Sequence, residues 1–73
     1  MITISLIGNI GSIKPMHLFD NGSQVLEFTL GCPTGYNNQT RWFTVKAWGK
    51  QADALAQYIE KGHKLFVGGR LED

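Results

Sequence analysis

Arg41-Trp42-Phe43-Thr44-Val45-Lys46-Ala47-Trp48 alternates without a break. Side chains of a strand point to opposite faces in turn, so Phe43, Val45 and Ala47 share one face and Trp42, Thr44, Lys46 and Trp48 the other. The first face is an ordinary core face. The second sets two tryptophans around a lysine: a buried face excludes that lysine, and a plain solvent face carries few tryptophans. After Gly49 the period changes. Ala52, Leu55, Ala56 and Ile59 fall on one stripe of a short helix, and Gly62 stands where a C-cap glycine belongs.

On the N-terminal side, residues 1–13 predict a strand with a bulge or bend at Gly8, and Pro15 interrupts the ladder. Asn21-Gly22 predicts a type I′ hairpin turn, whose two central residues both need positive φ. A second strand is expected over Gln24–Gly31, ended by Cys32-Pro33 and followed by a polar loop, Gly35-Tyr36-Asn37-Asn38-Gln39. On the C-terminal side, a last strand is expected over Lys64–Leu71, with a bulge at Gly68-Gly69. The order strand, strand, strand, helix, strand is that of a Greek-key oligonucleotide-binding (OB) barrel, all-β with one short helix, lacking its final strand. That absence should leave open edges on the first and fourth strands and an uncovered apolar wall of Ile2, Ile4, Leu6, Leu65, Val67 and Leu71.

Bulk properties bound the rest. The 73 residues make one domain, small enough that a partner chain would help to cover it. No apolar run approaches the ~20 residues of a membrane span, and no signal peptide opens the chain, so a cytoplasmic or organellar location is expected. Cys32 is the single cysteine, excluding an internal disulfide and a cysteine-based zinc site. His17 and His63 have no ligand partners at suitable spacing, and no serine sits in a nucleophile elbow. Neither metal, cofactor nor catalytic residue is expected. The net charge is +1, unevenly spread. Residues 1–40 carry Lys14 against Asp20 and Glu27, whereas residues 41–71 carry Arg41, Lys46, Lys50, Lys61, Lys64 and Arg70 against Asp53 and Glu60. Glu72 and Asp73 form an acidic tip.

Aromatic faces beside cations suit a single-stranded nucleic acid, whose bases stack and whose phosphates seek positive charge. The candidate stacking residues are Tyr36, Trp42, Trp48 and Phe66; the candidate phosphate contacts are Arg41, Lys46, Lys50, Lys61, Lys64 and Arg70. Phe66 shares a face with Lys64 and Arg70 if no bulge intervenes, and reads equally as a subunit contact. Phe19 and Phe28 read as core or interface. Gly8-Asn9-Ile10-Gly11 matches a GxxG string, but it follows a strand rather than joining helices, so a strand-end bend is the better reading.

Together these segments resemble the N-terminal domain of bacterial and organellar single-stranded DNA-binding proteins along all 73 residues. Gly8–Gly11 resembles the family's segment ending the first strand, Asp20-Asn21-Gly22 its hairpin, and Phe28-Thr29-Leu30 its second strand. Trp42–Lys50 is the most specific stretch, and Ala54-Leu55-Ala56 through Val67-Gly68-Gly69-Arg70-Leu71 follows the family's helix and next strand. The resemblance implies sequence-independent coating of single-stranded DNA in replication, recombination or repair. It also implies base stacking at Tyr36, Trp42 and Trp48, backbone contacts from Lys50 and Lys61, and a homo-oligomer, a tetramer or dimer. Three positions depart: Ile13-Lys14-Pro15 replaces an acidic-proline pair, His17 replaces an arginine, and Glu27 stands where small or amide side chains are common. The family's extended hairpin, closing strand and acidic partner-recruiting tail are not matched. A primosome-type OB protein is one competing reading, against which the Trp42/Trp48 pair argues; a paralogue using its tryptophans only for assembly is the other.

Overall fold

The computed structural model describes residues 2–71; the acidic tip, Glu72 and Asp73, lies outside them. It comprises β1 (Thr3–Ile13), β2 (His17–Leu18), β3 (Gln24–Pro33), β4 (Thr40–Trp48), α1 (Gly49–Ala56) and β5 (Lys64–Arg70). All strand pairings are antiparallel. The long strands lie in the spatial order β5-β1-β3-β4, with the two-residue β2 added to β3 beside β1. This is the OB arrangement expected, as an open sheet with one helix.

β1 is shared between two partners. Thr3–Asn9 pair with β5, and from Asn9 onward the other edge pairs with β3. Gly8 lies where the partners change, and a Cβ there would sit 2.4 Å from the Gly31 carbonyl oxygen. Only glycine permits this approach. The bulge lies further on: the β1–β3 register slips between Ile10 and Ile13.

Several other boundaries differ from expectation. Gly22 is left-handed (φ 88°) but Asn21 is not, so the hairpin is not type I′. Instead Gly22 N–H donates to the Phe19 carbonyl (3.0 Å) and Phe19 N–H to the Ser23 carbonyl (2.8 Å). That is a type I turn followed by a left-handed glycine. Asn21 Oδ1 secures it by accepting from Ser23 N–H at 3.0 Å. Cys32 and Pro33 do not end β3: they still pair with Arg41 and Thr40. Proline is tolerated there because β1 has left β3 by Gly31 and the next bond on the β4 side is donated by Thr34 N–H to the Gln39 carbonyl (3.0 Å), so no ladder bond needs the missing Pro33 N–H. No bulge interrupts Gly68-Gly69, which pair in register with Ser5 and Ile4.

The helix is one turn shorter than its stripe. Its C-cap is Gln57, so Ile59 packs from the following turn and Ala56 is exposed. Gly62 (φ 90°) serves a separate turn closed by His63 N–H donating to the Glu60 carbonyl (3.1 Å). With Glu60 outside the helix, its carboxylate lies 3.3 Å from His63 Nε2.

The core lies between one face of the sheet and α1. Ile10, Leu26, Phe28, Leu30, Cys32, Ala47 and Ala52 are buried, with Phe43, Val45, Leu55 and Leu65 against them. Phe28 is therefore core, and burial raises the Cys32 thiol above its ordinary pKa. The open edges expected on the first and last strands are present: among the described residues β1 has no partner strand on its β3 side over Thr3–Gly8, nor β5 on its outer side. A third was not foreseen: among the described residues, β4 pairs only with β3. Between β4 and β5 lies a cleft of about 600 Å³, lined by Ile4, Leu6, Phe43, Val45 and Val67 among others.

Candidate nucleic-acid interface

Residues directly opposite each other in a ladder point to the same side of the sheet. Trp42 opposes Gly31, Gly31 opposes Asn9, and Asn9 opposes Lys64. One row thus crosses the outer face from β4 to β5. Parallel rows set Trp48 beside Val25 and His17, and Lys46 beside Glu27. The face carries Trp42, Lys46 and Trp48 at one side, and Lys64, Phe66 and Arg70 at the other. The two tryptophans stand six residues apart on one strand, roughly 20 Å at the usual rise.

Both tryptophans are open to solvent, Trp42 at 60% and Trp48 at 53%. Trp42 is seated by glycines: its six-membered ring crowds the positions where Gly11 and Gly31 would carry a Cβ. The opposite ring face is free. Trp48 stacks on Phe19, with centroids 5.9 Å apart and planes 20° from parallel, and Phe19 meets the His17 ring edge-on at 4.4 Å. Phe19 is therefore neither core nor plain interface but part of this aromatic wall, 40% exposed.

The charge of Glu27 now has an explanation. Its carboxylate lies 3.0 Å from Lys14 Nζ, and Lys46 opposes it across the ladder. A hydrogen bond from Lys14 holds the Glu27 pKa below the usual carboxylate value; slight desolvation opposes this, and the charges of Lys14 and Lys46 add to it. Lys14 N–H also donates to the Glu27 carbonyl (2.9 Å). Lys14, His17, Phe19, Glu27, Lys46 and Trp48 line most of a recess of about 390 Å³ on this face.

Other candidates lie elsewhere. Arg41 opposes the buried Cys32, so it lies on the core side of the sheet, away from the Trp42 face. Tyr36 is 72% exposed in the β3–β4 loop, where the single Thr34 hydroxyl proton is shared between the Tyr36 and Gln39 carbonyls (3.2 Å each). Lys50 is exposed in the first turn of α1. Lys61 lies in the turn before β5, whose Gly62 carbonyl accepts from Asn9 Nδ2 (2.9 Å). Phe66 is 66% exposed directly opposite Ile7, itself 54% exposed. Tyr58, 75% exposed after α1, and Lys14 were not among the site candidates read from the sequence, and Phe19 was read there as core or interface. The signal for Phe19 was available: it flanks the turn whose partner strand ends against Trp48.

No described helix is long and apolar enough to cross a membrane, and the described His, Cys, Asp and Glu residues form no cluster of three suited to a metal. The family model described as the single-strand binding protein family matches residues 1–73. The chain belongs to that family. Among curated relatives it is 33% identical to single-stranded DNA-binding protein 1 of Chlorobaculum tepidum, over 94% of this chain and 47% of that protein. It is 31% identical to the single-stranded DNA-binding protein of Thermosynechococcus vestitus, over 94% of this chain and 58% of that protein. For single-stranded DNA-binding protein 1 of a Nostoc species, identity is 30% over 94% and 59%. The chain spans about half the length of these relatives.

Proposed function

We propose that this chain is a non-enzymatic binding module for single-stranded DNA that tolerates most base sequences. The observation that carries this reading is the exposure of Trp42 and Trp48 on one sheet face, on either side of Lys46. Bases stack on the two indoles and on Tyr36 at the loop, while Lys46, Lys50, Lys61, Lys64 and Arg70 take phosphates. Arg41, turned to the other side, contacts a strand only where it wraps the β3–β4 end. The names of the relatives support the same ligand, and replication, recombination and repair are where single strands arise.

The reading includes self-association. The open edge of β1 over Thr3–Gly8 lies beside the exposed Ile7–Phe66 pair, so a second copy would find both backbone hydrogen bonds and apolar area there. Phe66 fits this contact better than base stacking, because the side chain directly opposite it is aliphatic.

Titration with a thymine homopolymer tests the proposal through tryptophan fluorescence. Stacked bases should quench the indoles, and affinity should fall with salt by about 0.7 log units per log unit for each phosphate contacted. Unchanged emission, or tighter binding to duplex than to a single strand of equal length, would overturn it.

A further inference from the structure

The recess beside Trp48 has a wall and a floor of different chemistry. The wall is Trp48 stacked on Phe19, with His17 edge-on to Phe19. The floor is Glu27 between Lys14 and Lys46. A volume of about 390 Å³ is ample for one nucleobase. Stacking alone is indifferent to base identity, since every base has a π-face. A carboxylate in the floor is not. It only accepts hydrogen bonds, and although its Oε2 lies 3.0 Å from Lys14 Nζ, each carboxylate oxygen has two lone pairs, so Oε2 can take a second donor beside Lys14 while Oε1 takes another.

Resting on the single-strand reading above, we propose that this recess is a base-selective subsite in which Glu27, with Lys14 beside it, favours guanine. Guanine alone among the four bases presents two adjacent N–H donors, at N1 and N2, flanked by an oxygen acceptor at O6. Glu27 receives the two donors and Lys14 meets O6. Thymine offers one N–H between two carbonyl oxygens, so one of them faces the carboxylate. Cytosine and adenine offer an exocyclic amine beside a bare ring nitrogen, which leaves one carboxylate oxygen without a donor. The carboxylate also repels phosphates, so a strand crossing here turns its base inward and its backbone toward Lys46. A binding surface tolerant elsewhere thereby acquires one position with a preference.

The test compares thymine oligonucleotides carrying one central guanine, hypoxanthine or no replacement, by fluorescence anisotropy at fixed salt. Guanine should tighten binding about fivefold, the lower end of what a bidentate pair contributes. Hypoxanthine, lacking the N2 amine, should lose most of that gain. Glu27→Gln should erase the difference while still binding the all-thymine strand, and Trp48→Ala should weaken all three strands together. Equal affinity of the wild type for the three strands would overturn the subsite and leave single-strand binding standing. The same holds for a guanine preference that survives in Glu27→Gln. Failure of every strand to bind would overturn both readings.

Discussion

The six-membered ring of Trp42 rests on Gly31, the residue directly opposite it in the β3–β4 ladder: a Cβ built on Gly31 would lie 2.8 Å from one ring carbon and 3.1 Å from another. The indole thus covers backbone that no side chain shields, and the backbone holds the ring with one face outward. A ring fixed before the ligand arrives loses little rotamer freedom when a base stacks on it.

Gly31→Ala should therefore lift the Trp42 ring without deleting it. Its emission should shift and binding to a thymine homopolymer should weaken, by less than Trp42→Ala weakens it. Steady-state fluorescence and anisotropy on both variants check this, and unaltered emission in Gly31→Ala would contradict the seat.

Trp42→Ala and Trp48→Ala should each weaken single-strand binding by about 1–3 kcal/mol, the usual worth of one base–aromatic stack. More than half of each side chain is exposed, so thermal unfolding should remain cooperative. Affinity titrations paired with circular dichroism separate loss of the stack from loss of the fold.

Phe28→Ala should behave in the opposite way. Phe28 is 1% exposed at the centre of the core, and truncating a buried phenylalanine costs about 3–5 kcal/mol. In so small a domain that is a large part of the total stability. Denaturant unfolding should show a strongly reduced midpoint or no folded baseline.

The Lys14–Glu27 pair sets a pH dependence. Glu27 has its pKa lowered by folding, so the pair's stabilisation is complete above the unfolded carboxylate value, near 4.5, and is lost as pH falls through the lower folded value. Wild type should exceed Glu27→Gln in stability at neutral pH, and the gap should close in acid. Melting curves of both proteins from pH 7 to pH 3 measure it.

Ile7→Asp should disturb assembly. Ile7 is exposed beside Phe66 and an unpaired strand edge, and a charge there opposes pairing with a second copy. The 73-residue chain should sediment as an oligomer at micromolar concentration and Ile7→Asp as a smaller species. A wild type that sediments as a monomer would remove this interface.

The period of two in Trp42–Trp48 and the turn signals around it made the element order and the face of each tryptophan legible. Register was less so. That Arg41 turns away from Trp42 follows from the same alternation, yet charge counting had grouped them. The recess at Glu27 was hidden because it joins Lys14, Phe19, Glu27 and Trp48 from four separate segments, and only pairing brings them together. The helix was overread for a related reason. Ile59 does pack on the core, but from a turn, and periodicity alone does not distinguish the two.

The handover along β1 also bears on how the chain is made. Thr3 pairs with Arg70, so the first strand completes its ladder only with residues more than sixty positions later. At ribosomal speeds of about 5–20 residues per second, the N-terminal half of β1 waits several seconds for β5. Contacts so distant in sequence also slow folding, because a long loop must close before any bond rewards it. In that interval Ile4 and Leu6 have no β5 to pack beside. Until β5 emerges, the β5-facing edge of β1 is a row of unpaired backbone groups, open to any strand that reaches it first.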